Sequence, residues 1–96
     1  MARQSYSRTF PIGVTVGLAP QLLLNTNPIR EDFTIQNSSS SPIKFGFCGP
    51  QDPTKIVHTL YPNQIFTQRC EFTYLGPISV MGTTAGQLVT GDYGTA

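Results

Sequence analysis

The chain has 96 residues, the length of one compact domain, which leaves no room for a second. Charged residues make up only 11% of the sequence and the formal net charge is +1, so strong nucleic-acid binding through phosphates is not expected. No stretch approaches the roughly 18 apolar residues of a membrane-spanning helix, so we expect no membrane association.

The N-terminal residues 1–9 are polar, weakly basic and without a clear period. They are predicted to form an extended N-terminal arm, and the folded domain is predicted to comprise residues 10–96. The segment also lacks the continuous apolar core of a signal peptide, which predicts synthesis in the cytoplasm.

The first predicted strand runs from Phe10 to Leu18, where apolar residues alternate with small ones. A period of two with one apolar face is typical of a half-buried strand. Pro11 has no backbone N–H to donate, so the strand is predicted to start there or to lie at a sheet edge. Its small face, which carries Gly13 and Thr15, would let another chain approach closely.

Four further segments continue the strand pattern. Residues 21–25 predict a short second strand, and residues 25–28 read as a turn. Alternation over residues 33–36 and again over residues 43–47 predicts two strands, and we expect them to pair as a hairpin around the polar loop 37–42.

The second half of the chain shows the same alternation. We predict a strand over residues 55–61, with Ile56, His58 and Leu60 on one face. A tight turn at Pro62-Asn63 leads into a long predicted strand, Ile65 to Tyr74. Its alternation predicts Cys70 in the core and Thr67 and Arg69 on the opposite face.

Two short strands close the sequence. Gly76-Pro77 turns the chain into a strand over residues 78–81, and the loop 82–86 is predicted to form a hairpin with a last strand over residues 87–90. A short tail is expected after residue 90.

No window shows a sustained helical period. The predicted fold class is therefore all-β: a single antiparallel β-sandwich or small β-barrel of about seven or eight short strands, with the extended N-terminal arm.

Chemical motifs are scarce. Cys48 and Cys70 are too few for a disulfide framework, and free thiols are favoured. His58 is the only imidazole and is predicted to be a core or rim residue, although a small hydrolase would have to use it. We therefore predict no catalytic residues, no metal site, no cofactor and no enzymatic activity.

The aromatic residues bear on two possible binding functions. A single-stranded nucleic-acid-binding barrel needs exposed aromatic rings, but the phenylalanines occupy the apolar phase of their strands. A carbohydrate-binding sandwich would have to rely on Tyr61, Tyr74 and Tyr93, because the chain has no tryptophan.

Three segments, residues 60–67, 76–81 and 85–90, carry a resemblance to known proteins. They contain an apolar residue before a Pro-centred turn and an aromatic strand, then a Gly-opened strand, then a Gly-led closing strand. Together with the two strands over residues 30–47, this order of turns and strands resembles that of small virion structural proteins of tailed bacteriophages. The resemblance covers roughly residues 30–93.

The resemblance implies a capsid decoration (cement) protein that binds the lattice of the major capsid protein at the virion surface. It also implies a homo-oligomer, with a trimer favoured, synthesised in the host cytoplasm. The alternative within the same resemblance is a tail or head-fibre component or a receptor-binding module.

The interface residues of such a protein were predicted from their expected exposure. They comprise four residues of the arm and its junction and three of the small face: Arg3, Tyr6, Arg8, Phe10, Gly13, Thr15 and Gly17. An arm that orders on the capsid would add contact area at an entropic cost.

Overall fold

The computed structural model describes residues 8–69 and 73–95. The strands are β1 (Arg8–Val16), β2 (Gln21–Leu24), β3 (Arg30–Asn37), β4 (Ile43–Gly46), β5 (His58–Leu60), β6 (Ile65–Arg69), β7 (Ile78–Gly82) and β8 (Gln87–Thr95). A single 3-10 turn at Pro53–Lys55 is the only helical element of the described residues. The all-β prediction and the predicted number of short strands are confirmed.

The strands form two antiparallel sheets of four. Sheet A has the order β1-β8-β3-β6, and sheet B has the order β2-β7-β4-β5. Every connection except β4–β5 crosses from one sheet to the other, which is the strand order of an eight-stranded jelly roll. The fold is thus a single β-sandwich, the first of the two predicted architectures.

The two predicted hairpins, between β3 and β4 and between β7 and β8, are wrong because the strands of each pair lie in different sheets. β3 belongs to sheet A and β4 to sheet B, and β7 and β8 are likewise divided between the sheets. Ile35 of β3 and Ile43 of β4 are both fully buried, because the two strands cover the same core from opposite sides. Alternation reports which side chains face inward, and it carries no information about which strand is the hydrogen-bonded neighbour.

The core lies between the sheets, and its apolar residues come from every strand but β6, which adds the partly buried Phe66. In β1 the predicted phase is correct, since Ile12 and Val16 are buried while Gly13 and Thr15 are exposed. Leu18 was expected to continue the buried face but is 61% exposed. The strand ends at Val16, so the alternation of β1 no longer applies to Leu18.

β1 is an edge strand, as Pro11 predicts, and it pairs only with β8. It begins at Arg8, two residues before the predicted domain boundary, and Arg8 and Thr9 lie opposite Thr95 and Gly94. The rest of the predicted arm, residues 1–7, lies outside the described residues.

Two strands differ in length from their predictions. β5 covers only His58–Leu60, because the chain before it forms the 3-10 turn that begins at Pro53, although Ile56 is buried as expected. β6 ends at Arg69 and residues 70–72 are outside the described part, so the predicted core position of Cys70 is not described. Tyr74 itself lies beyond the strand.

The predicted tail after residue 90 is wrong, because β8 continues to Thr95 between β1 and β3. Gly91 makes the continuation possible: its φ is +150°, and a Cβ at this position would overlap the carbonyl oxygen of Thr34 in β3. The turn at Pro62-Asn63 is confirmed, with Asn63 at φ +66° and the amide of Gln64 donating to the carbonyl of Tyr61 at 2.9 Å.

Candidate interaction surface

The solvent side of sheet A, which we call the outer face, follows from the strand register. Residues directly opposite each other share a face of the sheet. From β1 to β6, the cross-strand rows of the outer face are Thr15–Leu88; Gly13–Thr90–Gln36–Ile65; Pro11–Asp92–Thr34–Thr67; and Thr9–Gly94–Asp32–Arg69.

Short, uncharged side chains dominate the outer face. Adjacent hydroxyls contact each other, with 3.1 Å between the Oγ1 atoms of Thr34 and Thr67 and 2.7 Å between the hydroxyl oxygens of Ser38 and Thr90. Asp92 is exposed, and Asp32 accepts a hydrogen bond from the amide of Gly94 at 2.9 Å. The outer face is therefore a largely neutral surface with its few charges towards one end.

The seven predicted interface residues do not lie on one surface. Gly13 and Thr15 are exposed on the outer face at the sheet edge. Arg8 and Phe10 have the opposite parity and lie on the inner side of β1. Arg8 is nevertheless exposed at the strand end, while Phe10 is half-buried and stacks on Tyr93 with 5.0 Å between ring centroids.

The other three predicted interface residues are Gly17, Arg3 and Tyr6. Gly17 is half-buried just after β1 ends, and its carbonyl accepts from the amide of Gly82 at 2.8 Å. Space for a side chain is open at both Gly13 and Gly17. Arg3 and Tyr6 lie outside the described residues.

Sequence reasoning missed most of the outer face. β8 contributes the exposed residues Leu88 and Asp92, and β6 contributes Ile65, which is 57% exposed. The parity of Thr67 and Arg69 was recognised, but nothing in the sequence joined β6 to β1 across β8 and β3. Only the strand order does so.

Among the described residues, His58 and Cys48 do not assemble a reactive group with other side chains. His58 is exposed at the rim, with its ring 5.2 Å from that of Phe45 and 5.4 Å from that of Phe47. Cys48 is a buried free thiol whose sulfur lies 3.7 Å from the carbonyl oxygen of Asp52. Within residues 8–69 and 73–95, no three His, Cys, Asp or Glu side chains are grouped as metal ligands.

The aromatic rings are committed mainly to packing. Phe33 and Phe45 are buried, and Tyr74 donates its hydroxyl to the carbonyl of Phe47 at 3.1 Å. Tyr61 is the one tyrosine of the described residues that is mostly exposed, at 59%. A row of exposed rings for stacking bases or sugars is therefore not formed by the described residues.

Comparison of the chain with protein-family models, with curated proteins and with solved structures gave no match. The described part of the chain contains no helix with the length and hydropathy that a membrane crossing requires.

Proposed function

We propose that the chain is a non-enzymatic virion structural protein, a capsid decoration protein that binds the major capsid protein lattice and stabilises the phage head. The observation that carries the proposal is the outer face of sheet A, a solvent-side surface of short and mainly neutral side chains. Such a surface suits contact with another protein better than it suits chemistry on a substrate.

Desolvation favours this use of the outer face. Burying a charge against a partner costs several kcal/mol unless the partner compensates it, whereas hydroxyls and glycines cost much less. Leu88 and Ile65 add apolar area that gains free energy when it is covered. The face can therefore dock without a matched set of opposite charges.

The size of the outer face favours many weak contacts. Four strands spaced by about 4.8 Å and about six residues of length give roughly 400 Å². A standard stable interface buries about 800 Å² on each partner, so one copy would bind weakly through this face alone. A homotrimer on a repeating lattice would multiply the contacts, which agrees with the trimer that the resemblance implies.

The fold adds support of a general kind. Jelly rolls occur in viral capsid proteins, although the same fold serves many other functions. The strands β3 to β8 also contain the segments that resemble small virion proteins. Under this proposal the protein works at the capsid surface without a cofactor, and internal pressure from packaged DNA is resisted by copies that bridge neighbouring capsid subunits.

Replacing Thr15 with arginine tests the proposal. Thr15→Arg places a long charged side chain on the outer face at an exposed position, so we expect at least a tenfold loss of co-sedimentation with phage particles purified from the same source. Thr59→Arg is the matched control, because Thr59 is exposed on β5 in the other sheet. If both variants co-sediment with the phage particles as strongly as the parent protein does, the role of the outer face is refuted.

A further inference from the structure

The open side of the sandwich between the edge strands β1 and β2 contains a cleft of about 300 Å³. Its walls are residues 11–14 of β1 and residues 23–27, which end β2 and begin the following turn, while Arg30 and Tyr93 complete the lining. The volume lies at the lower end of the range for ligand pockets. The cleft is large enough for one or two side chains of a partner.

Arg30 lines the cleft although its side chain is almost entirely buried, with 4% of it exposed. The pairing register of β3 shifts between Arg30 and Asp32, which makes Glu31 a bulge. Arg30 therefore does not share the outer face with Asp32, and it lies on the inner face of sheet A with Thr95. Bulges commonly reorient a side chain in this way.

The hydrogen bonds of Arg30 leave part of its donor capacity unused. Nη1 donates to the carbonyls of Tyr74 at 2.8 Å and Gly76 at 3.3 Å, and Nη2 donates to the carbonyl of Asn25. Nε is buried and has no acceptor among the described residues. A guanidinium has five N–H donors, so three carbonyls leave two donors unmatched.

The charge of Arg30 is also uncompensated within the described chain. All three of its acceptors are neutral carbonyls, and none of its hydrogen-bond partners in residues 8–69 and 73–95 is a carboxylate. Burial lowers the pKa of Arg30, which reflects the cost of holding the cation away from water. Arg8 stands on the same face two strands away, with Thr95 between them, and adds a second positive charge at this end.

We propose that the cleft binds an acidic side chain presented by an extended segment of a partner protein. The carboxylate would supply the counter-charge that Arg30 does not find within residues 8–69 and 73–95, and guanidinium groups match carboxylates in both charge and planar geometry. The segment would lie along β1, because an edge strand offers unpaired backbone groups to an added strand. Leu23 and Val14 provide apolar contacts for neighbouring side chains.

The inference goes beyond the proposed function, because peptide binding by the cleft does not require a capsid. Assigning this segment to the major capsid protein would rest on the proposed function. The two can fail separately, since Thr15 of the capsid test is not part of the cleft lining.

Peptide titration of the full chain, followed by heteronuclear NMR, tests the cleft. The probe is a terminally blocked heptapeptide of alternating threonine and valine with one central glutamate, and its glutamine counterpart is the control. We expect the glutamate peptide to shift the amide resonances of residues 11–14 and the Nε–H resonance of Arg30, with at least tenfold tighter binding than the glutamine peptide. Acetate, as a free carboxylate, is expected to bind at least tenfold more weakly than the glutamate peptide.

Two tryptophan variants locate the binding site. Thr26→Trp fills the cleft from its exposed wall and should reduce glutamate-peptide binding at least tenfold, whereas Thr59→Trp on β5 should leave it unchanged. The proposal is overturned by equal binding of the two peptides, by acetate binding as tightly as the peptide, or by undiminished binding to Thr26→Trp. Since both variants change exposed threonines, their urea unfolding curves serve as the check on folding.

Discussion

At the scale of single residues, glycines differ sharply in what they contribute. Gly91 has a positive φ and faces the backbone of β3 so closely that a side chain cannot be accommodated without separating the strands. Gly46 is similarly confined, by the carbonyl of Lys55. Gly13 has open space around it, so its small size matters for what approaches the sheet and not for the sheet itself.

Alanine substitution separates these two classes of glycine. We expect Gly91→Ala to lower the free energy of unfolding by about 3 kcal/mol, because it combines backbone strain with a steric overlap in the middle of sheet A. Gly13→Ala, its control in the adjacent strand, should change it by less than about 1 kcal/mol, with the sign towards stabilisation. Urea unfolding measures both, and equal effects would contradict the distinction.

At the scale of elements, the loop between β3 and β4 is held by two buried amides. Asn37 donates to the carbonyls of Ser41 and Leu60, each at 2.8 Å, and accepts from the amide of Ser39 at 2.9 Å. Gln87 donates to the carbonyls of Ser41 and Pro42 at 2.8 and 3.0 Å. The serine run, residues 38–41, is thus fixed where the chain passes from sheet A to sheet B, because the two amides hold the carbonyls of Ser41 and Pro42.

β8 is the element on which sheet A depends, because it pairs with β1 over its full length and with β3 from Val89 to Thr95. A chain that ends at Thr90 removes five of its nine residues and should lose cooperative thermal unfolding. A chain that ends at Thr95 retains the strand and serves as the control. Identical melting curves for the two chains, recorded by circular dichroism, would contradict the central role of the strand end.

At the scale of the whole molecule, the protomer is small and elongated, with extents of 41 × 25 × 17 Å and a radius of gyration of 13.0 Å. A domain of this size buries a modest fraction of its surface, so association with further copies would add to its stability. The outer face and the open edges of β1 and β2 are the surfaces that such copies could share.

Light scattering after size exclusion tests the oligomeric state directly. For the full chain at micromolar concentration we expect a mass of three chains of 10.5 kDa each, the trimer that is favoured for the proposed decoration protein. A tenfold dilution series should show whether the trimer dissociates, since a small interface gives limited affinity. A measured mass of one chain at every concentration would contradict the trimer.

The sequence by itself determined which side chains face the core where a strand alternates regularly, as β1 does. In β1, Ile12 and Val16 are buried as their spacing predicts, and Pro11 marks a sheet edge. These features follow from local physics, since side chains alternate across any strand and proline lacks a donor on any strand.

Only the tertiary structure decided the strand partners, the assembly of the outer face and the position of Arg30. Pairing between β1 and β8 joins the two ends of the described chain, and alternation cannot report contacts over such a separation. By parity alone Arg30 would share the outer face with Asp32, whereas the bulge at Glu31 turns it inside. A bulge shifts the alternation by one residue, so every inference from parity fails there until the neighbouring strand is known.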